Sequence, residues 1–241
     1  MKIVWNEQSV RWFRDASEYT GYHKKLAKIL LEYIPSRTSL CDLGCGTGLI
    51  DMELAPYFKQ ITCVDISDQA ITAVRQQARE LGRNNISAVC KDAAELEGEW
   101  ETVTTLFFGG NDVFLNYFPM VRDQMILVVH GAREGNFGPA GHKVSKKFDV
   151  KSVKEQLNQQ GIKYSLREME LEYGQPLRSL EDAEAFATAY SMPMDKARLD
   201  VYLRECLKET GDDRFPYYLP NKKKLGIFVI RRNENMDVCR R

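Results

Sequence analysis

Over residues 7–19, Val10, Phe13 and Ala16 recur three apart, with Trp12 and Tyr19 beside them, which predicts an amphipathic helix. Thr20 is placed to cap a second helix, on which Leu26, Ile29, Leu30 and Tyr33 form one buried stripe and Pro35 marks the end. The rhythm then changes to short apolar runs. Strands are predicted at 39–43, 61–64, 86–90, 103–108 and 125–130, then around 162–171 and at 225–230. Helical patterns fall between them. One carries Leu49, Ile50, Met52, Leu54 and Ala55. A second is capped by Ser67 and stopped by Gly82, with Ile71, Val74, Ala78 and Leu81 on its stripe. Asp112–Tyr117 reads as a short helix, and Asp149 caps another that carries Val150, Val153 and Leu157 and ends at Gly161. Residues 180–210 read as two helices broken at Pro193. Twelve residues from Gly131 to His142 hold four glycines and a proline, a loop with little intrinsic order. The tail from Asn233 to Arg241 is polar and expected to fray. Strands alternating with helices predict right-handed βαβ units and a mainly parallel sheet covered on both faces.

The first strand runs directly into Asp42-Leu43-Gly44-Cys45-Gly46-Thr47-Gly48, and a helix follows at once. Glycines there permit a tight turn and close approach of a ligand to the backbone, and the helix start offers free N–H groups. In an open α/β sheet such a loop lies at the carboxyl ends of the strands, where ligands bind. An acidic residue about 20 positions on is placed to hold ribose hydroxyls. Asp65 stands 21 positions after Gly44 and closes the second strand, and Asp92 follows the third. The dinucleotide fingerprint G-x-G-x-x-G would need glycine at position 49, which is Leu49, so a nicotinamide oxidoreductase is disfavoured.

With Leu40 to Gly48, Asp65 and Asp92 in this order, the sequence resembles the class I S-adenosylmethionine-dependent methyltransferase family over residues 36–130. The resemblance implies a Rossmann-like seven-stranded sheet of order 3-2-1-4-5-7-6, with the seventh strand antiparallel and helices on both faces. It implies that the loop carrying Gly44, Cys45, Gly46 and Gly48 passes under the methionine part of S-adenosylmethionine, with Asp42 orienting the loop and the cofactor's amino group. Asp65 would hold the ribose, Ile66 would pack on the adenine, and Asp92 would accept from the adenine amino group with Ala93 nearby. Phe108 would lie near the transferring methyl. The segment before the loop would fold over the cofactor and bring Tyr19, Tyr22 and His23 to the site. Methyl transfer from a sulfonium is an in-line displacement whose demands are alignment, desolvation and, for some acceptors, deprotonation. His130, closing the fifth strand, and His23 are the candidate bases; His142 is a third histidine placed near them. Trp5, Trp12 and Phe13 read as packing rather than as a cage.

The Asn/Asp-Pro-Pro-Tyr run that several methyltransferases of exocyclic or amide nitrogen carry after the fourth strand is missing here, where Leu106-Phe107-Phe108-Gly109-Gly110-Asn111-Asp112 stands, which counts against DNA-adenine and amide targets. Asp112 and Asp123 make no convincing metal cluster, and no metal is expected. The 241 residues are 44% hydrophobic and 28% charged, as for one large globular domain. Its parts are expected to be an N-terminal helical cover (1–35), a cofactor core (36–172), an insertion or lid (173–220), and a last strand with tail (221–241). Lys plus Arg and Asp plus Glu are both 34. A neutral chain has no global field for polyphosphate, so nucleic acid is an improbable partner. Lys222–Lys224, with Arg231 and Arg232, reads as a solvated edge on the last strand. None of the six cysteines forms a CxxC pair, the N-terminus has no signal-peptide pattern, and no apolar run is long enough to span a membrane. The expectation is therefore a cytoplasmic methyltransferase with a small-molecule acceptor. The alternatives are a methyltransferase acting on protein or RNA, and a non-catalytic S-adenosylmethionine-binding protein.

Overall fold

A computed structural model describes residues 5–110, 113–131, 148–190 and 195–235. The chain opens with two helices, α1 (Glu7–Thr20) and α2 (Tyr22–Tyr33). Thr20 does not open the second one. The first helix runs through it, and Gly21, at φ 64°, is the whole link. The Thr20 hydroxyl still accepts from the Tyr22 N–H (3.2 Å), so it caps α2 from inside α1.

The core then alternates as expected: β1 (Ser39–Leu43), α3 (Leu49–Leu54), β2 (Gln60–Asp65), α4 (Asp68–Glu80), β3 (Ile86–Cys90), β4 (Trp100–Leu106), β5 (Val121–His130), α5 (Val150–Gln159) and β6 (Ser165–Glu172). The short helix expected at Asp112–Tyr117 is a 3-10 turn over Val113–Met120; Asp112 itself lies outside the described residues. So do most of the glycine-rich stretch to His142 and the break at Pro193. The cap hydrogen bonds at Ser67 and Asp149 form as expected.

Residues 173–220 fold as β7 (Gln175–Leu177), α6 (Leu180–Tyr190), α7 (Lys196–Cys206), β8 (Lys208–Glu209) and β9 (Tyr217–Leu219), with a small antiparallel sheet in the order β7-β9-β8. The last strand, β10 (Lys222–Arg231), returns to the main sheet. That sheet reads β3-β2-β1-β4-β5-β10-β6, parallel through its first five strands, with β10 antiparallel to both neighbours. This is the expected order, with β10 as the seventh strand of the main sheet. It also corrects one reading. The strand carrying Lys222–Lys224 is interior, paired on both sides, and the edges are β3 and β6.

The central strands are buried on both faces, so β1 and β5 read as nearly continuous apolar runs. One face packs under α2, α3 and α4, the other under α5 and the 113–120 turn. A third cluster joins Trp12 of α1 to Leu177, Phe186, Leu199 and Leu219 of the 173–220 segment. Sheet order reverses between β1 and β4. The crevice at the carboxyl ends of those two strands is where such a sheet binds ligands.

Candidate active site

The loop after β1 is built by backbone geometry. The N–H groups of Gly44 and Cys45 both donate to the Val64 carbonyl (2.8 and 3.0 Å), which ties the loop to the end of β2. Gly44 and Gly46 have φ of 70° and 55°, where L-residues are strained. Both also lack room for a side chain. A Cβ on Gly44 would fall 2.1 Å from the Phe108 ring, and one on Gly46 would fall 2.9 Å from Trp5. Aromatic faces therefore lie directly on the loop.

Asp65 closes β2 and locks the same loop. Its Oδ2 accepts from the Gly46 N–H (2.9 Å) and its Oδ1 from the Ser67 N–H (2.8 Å). Each carboxylate oxygen keeps a further lone pair for a ligand hydroxyl. Ile66, the next residue, is 56% exposed, an uncommon state for isoleucine. Asp65 is opposite Cys90 in the β2–β3 register, so Asp92 emerges one strand over. It is exposed, caps the 93–95 turn through Ala94 N–H (2.9 Å), and leads into buried Ala93.

Beneath the loop lies a polar pocket closed to solvent. Asp42 is 1% exposed and accepts from the Thr104 hydroxyl (2.7 Å). Asp51, in the first turn of α3, is fully buried, with the Asp42 carboxyl and the Cys63 thiol against its carboxyl group. Burial and mutual repulsion hold the Asp42 carboxyl well above the usual carboxylate range, and burial raises Asp51 as well. The neighbouring thiols of Cys45 and Cys63 are also pushed up, Cys45 to about 12, so both are unreactive at neutral pH. All five described cysteines are free.

A second group of side chains collects around Phe107. This residue ends β4 at φ 56°, a left-handed conformation that costs about 1–2 kcal/mol outside glycine. The His130 ring, at the end of β5, lies 4.7 Å from the Phe107 ring. Lys223 Nζ lies 3.6 Å from the ring centroid, with the Tyr173 and Tyr22 rings at 5.1 and 5.6 Å. His23 stacks edge-on to Tyr22 and Tyr173, and its Nδ1 is paired with the Ser17 hydroxyl at 2.7 Å. Burial, with a contribution from Lys223, lowers His23 to about 3, so its imidazole is neutral at working pH.

The structure thus brings Asp42, Gly44, Cys45, Gly46, Asp65 and Phe108 together around one loop, with Ile66, Asp92 and Ala93 at adjacent strand ends. Gly48 packs instead on Val74 of α4. Tyr22 and His23 join the group around Phe107. Tyr19 packs on Phe215 and Tyr218 of the 173–220 segment. Trp12 packs on Phe186, and Trp5 meets Phe13 edge-on. His142 lies outside the described residues. Sequence reasoning missed Asp51, Tyr173 and Lys223. Strand alternation does place Lys223 on the same face as Leu225 and Ile227, and that signal was available.

Comparison with known proteins fits this geometry. Residues 40–122 match the model of a methyltransferase domain. A ubiquinone biosynthesis O-methyltransferase of Xanthomonas euvesicatoria is 30% identical over 104 residues, 40% of this chain and 43% of that protein. The match thus spans less than half of that relative's length. The YcgJ protein of Bacillus subtilis superposes with a TM-score of 0.54 at 12% identity, over 87% of this chain and 99% of that one. Magnesium protoporphyrin IX methyltransferase from Synechocystis, solved with bound SAH, gives 0.50 at 15% identity, over 95% and 89%. At these identities the two structures speak for the fold alone. The matched segment holds the glycine loop and is similar to a methyltransferase domain over about a third of the chain, and the sheet order is that of the solved methyltransferase fold.

Proposed function

We propose that this protein binds S-adenosylmethionine and transfers its methyl group to an oxygen of a small-molecule acceptor. One observation carries the cofactor reading: exposed Ile66 follows Asp65 at the end of β2, with Asp92 after the neighbouring β3, beside a glycine loop with no room for side chains at Gly44 and Gly46. A ribose needs a carboxylate that can accept from two hydroxyls, and an adenine needs an apolar face and an acceptor for its amino group. The three residues present these in that order. The loop and Phe108 would flank the methionine part. The sulfonium supplies an activated methyl group, and the protein's work is to align the acceptor, exclude water and receive a proton.

The relative named as an O-methyltransferase supports the oxygen acceptor. The N-terminal cover (1–35) and the insertion (173–220) act together as a lid over the core (36–172), with 221–241 completing the sheet. The ion pairs of Asp15 with Arg178 (2.9 Å) and Arg11 with Asp182 support this, since they join the two pieces. Free thiols suit a reducing compartment, and we place the enzyme in the cytoplasm. No helix among the described residues is long and apolar enough to cross a membrane.

The test is titration calorimetry of the full chain with S-adenosylhomocysteine and with NADH. Micromolar binding of the first is expected. Binding of NADH with no response to S-adenosylhomocysteine would overturn the reading.

A further inference from the structure

Lys223 is the side chain that the surrounding chemistry explains least. It begins β10 beside two other lysines, yet its environment differs from theirs. Lys222 is exposed and paired with Glu170 (3.0 Å). Lys223 turns to the opposite face, is half-buried, and meets no carboxylate or hydrogen-bond acceptor among the described residues. Its amine faces the rings of Phe107, Tyr22 and Tyr173.

The box is not a plain hydrophobic seat for a lysine stem. A stem normally lies on apolar surface with its charged head in water. Here the head itself is enclosed. Aromatic faces attract an ammonium by about 0.5–2 kcal/mol, which is less than the hydration it gives up on burial. The balance favours the uncharged amine, and burial lowers Lys223 to about 7. The other titratable groups facing it do not reverse this. His23 is neutral, the Tyr22 and Tyr173 phenols are both raised by burial, and His130 packs on the same Phe107 ring.

Position gives the amine a use. Phe107 and Phe108 are consecutive. The Phe108 ring lies on Gly44 of the loop, and the Phe107 ring carries the amine. β10 pairs Leu225 with His130 at the end of β5, so Lys223 stands at the carboxyl edge of the sheet, the edge that also carries the glycine loop.

We propose that Lys223 is the general base for the acceptor hydroxyl, an uncompensated amine held by Phe107, Tyr22 and Tyr173 at the carboxyl edge of β4. The inference rests on the methyltransferase reading above. The Nζ lone pair takes the hydroxyl proton. The acceptor oxygen bonds to the methyl carbon as the carbon–sulfur bond breaks, and that electron pair stays on sulfur. The resulting ammonium returns its proton to water. His23 is a poorer base, because one held near pH 3 accepts a proton reluctantly. The Tyr22 hydroxyl is buried and has no hydrogen-bond partner among the described residues.

Two measurements on the full chain test this. In protein labelled with ¹³C-lysine, the Lys223 ε-methylene signal is assigned by its loss in Lys223→Met. Its titration midpoint is expected near pH 7, with the remaining lysines near 10. A Lys223 midpoint near 10 overturns the proposal. In parallel, methyl transfer from radiolabelled S-adenosylmethionine into a metabolite extract filtered below about 3 kDa is compared across variants. Lys223→Met is expected to lower kcat by about 10²-fold or more while leaving S-adenosylhomocysteine affinity within about threefold. Lys223→Arg, charged at every pH, is expected to fail as well. Lys223→Cys, alkylated to aminoethylcysteine, is expected to recover activity. Unchanged kcat in Lys223→Met also overturns the proposal. Absence of S-adenosylhomocysteine binding to wild type would instead overturn the cofactor reading, so the two failures are distinct.

Discussion

Asp51 faces Asp42 beneath the glycine loop, both carboxyls are buried, and the weakly donating Cys63 thiol is the other group against Asp51. Two carboxylates so placed cannot both stay charged. One proton held between them gives Asp51 a partner and keeps the first turn of α3 against β1. The glycine loop therefore rests on a protonated acid.

Replacing Asp51 with asparagine supplies that donor permanently. The folded Asp51 value lies above that of an unfolded aspartate, so the native state binds more protons across the window between them. Stability from this pair is then present at low pH and is lost as pH rises through the folded value. Asp51→Asn is expected to exceed wild type at pH 8 by about 1–3 kcal/mol, with the gap closing towards pH 5. His23 and Lys223, both lowered, titrate in the opposite sense but are common to both proteins and cancel in the difference. Urea unfolding at several pH values measures it, and a gap independent of pH would remove the shared proton.

Gly44→Ala is expected to destabilise the fold by about 2–4 kcal/mol, combining left-handed strain with overpacking against Phe108. Phe108→Ala should relieve only the packing part. A double-mutant cycle by denaturant unfolding should show a coupling of about 1 kcal/mol or more. Strict additivity would mean that the ring does not lie on the loop.

Asp65→Ala is expected to weaken S-adenosylhomocysteine by about 10–100-fold, as for loss of charge-assisted hydrogen bonds, because the proposed ribose contact and the Gly46 tether would be lost together. Asp92→Asn should act on the base instead. It should narrow the preference for S-adenosylhomocysteine over the inosine analogue, since an amide can donate to a ring carbonyl. Calorimetry with both ligands reads this, and an unchanged preference would take Asp92 off the adenine.

Asp15, 2% exposed, receives a bidentate pair from Arg178 and lies near Arg11 and Arg214. Asp15→Ala leaves three guanidinium groups without that acceptor, and a loss of about 2–4 kcal/mol is expected. Arg178→Ala removes a half-exposed partner and should cost about 1 kcal/mol or less. Similar losses for the two variants in urea would contradict the central place of Asp15.

Much of the architecture was legible because local rules and burial agree. The caps at Ser67 and Asp149, the stop at Gly82 and the continuous apolar strands each follow from short-range chemistry. Asp65 and Asp92 were legible for a similar reason: a residue closing a parallel strand emerges at the ligand edge whatever the rest of the chain does. Thr20 caps the second helix as read, but it does so from the last position of the first, because Gly21 alone can turn one helix into the next. The Lys222–Lys224 run was misread as an edge because charge suggests solvent, and only pairing on both sides reveals an interior strand.

By itself the sequence determined the alternation of elements, the loop and the strand-end carboxylates, because these depend on periodicity and on residues near one another in the chain. The tertiary structure alone decided what lies on the loop and beside it. Trp5 reaches Gly46, Asp51 reaches Asp42, and Lys223 reaches Phe107 across sheet neighbours distant in sequence. Charge state depends on what surrounds a group in space. Whether a lysine is a solvated cation or a neutral base is therefore fixed only when the chain has closed around it.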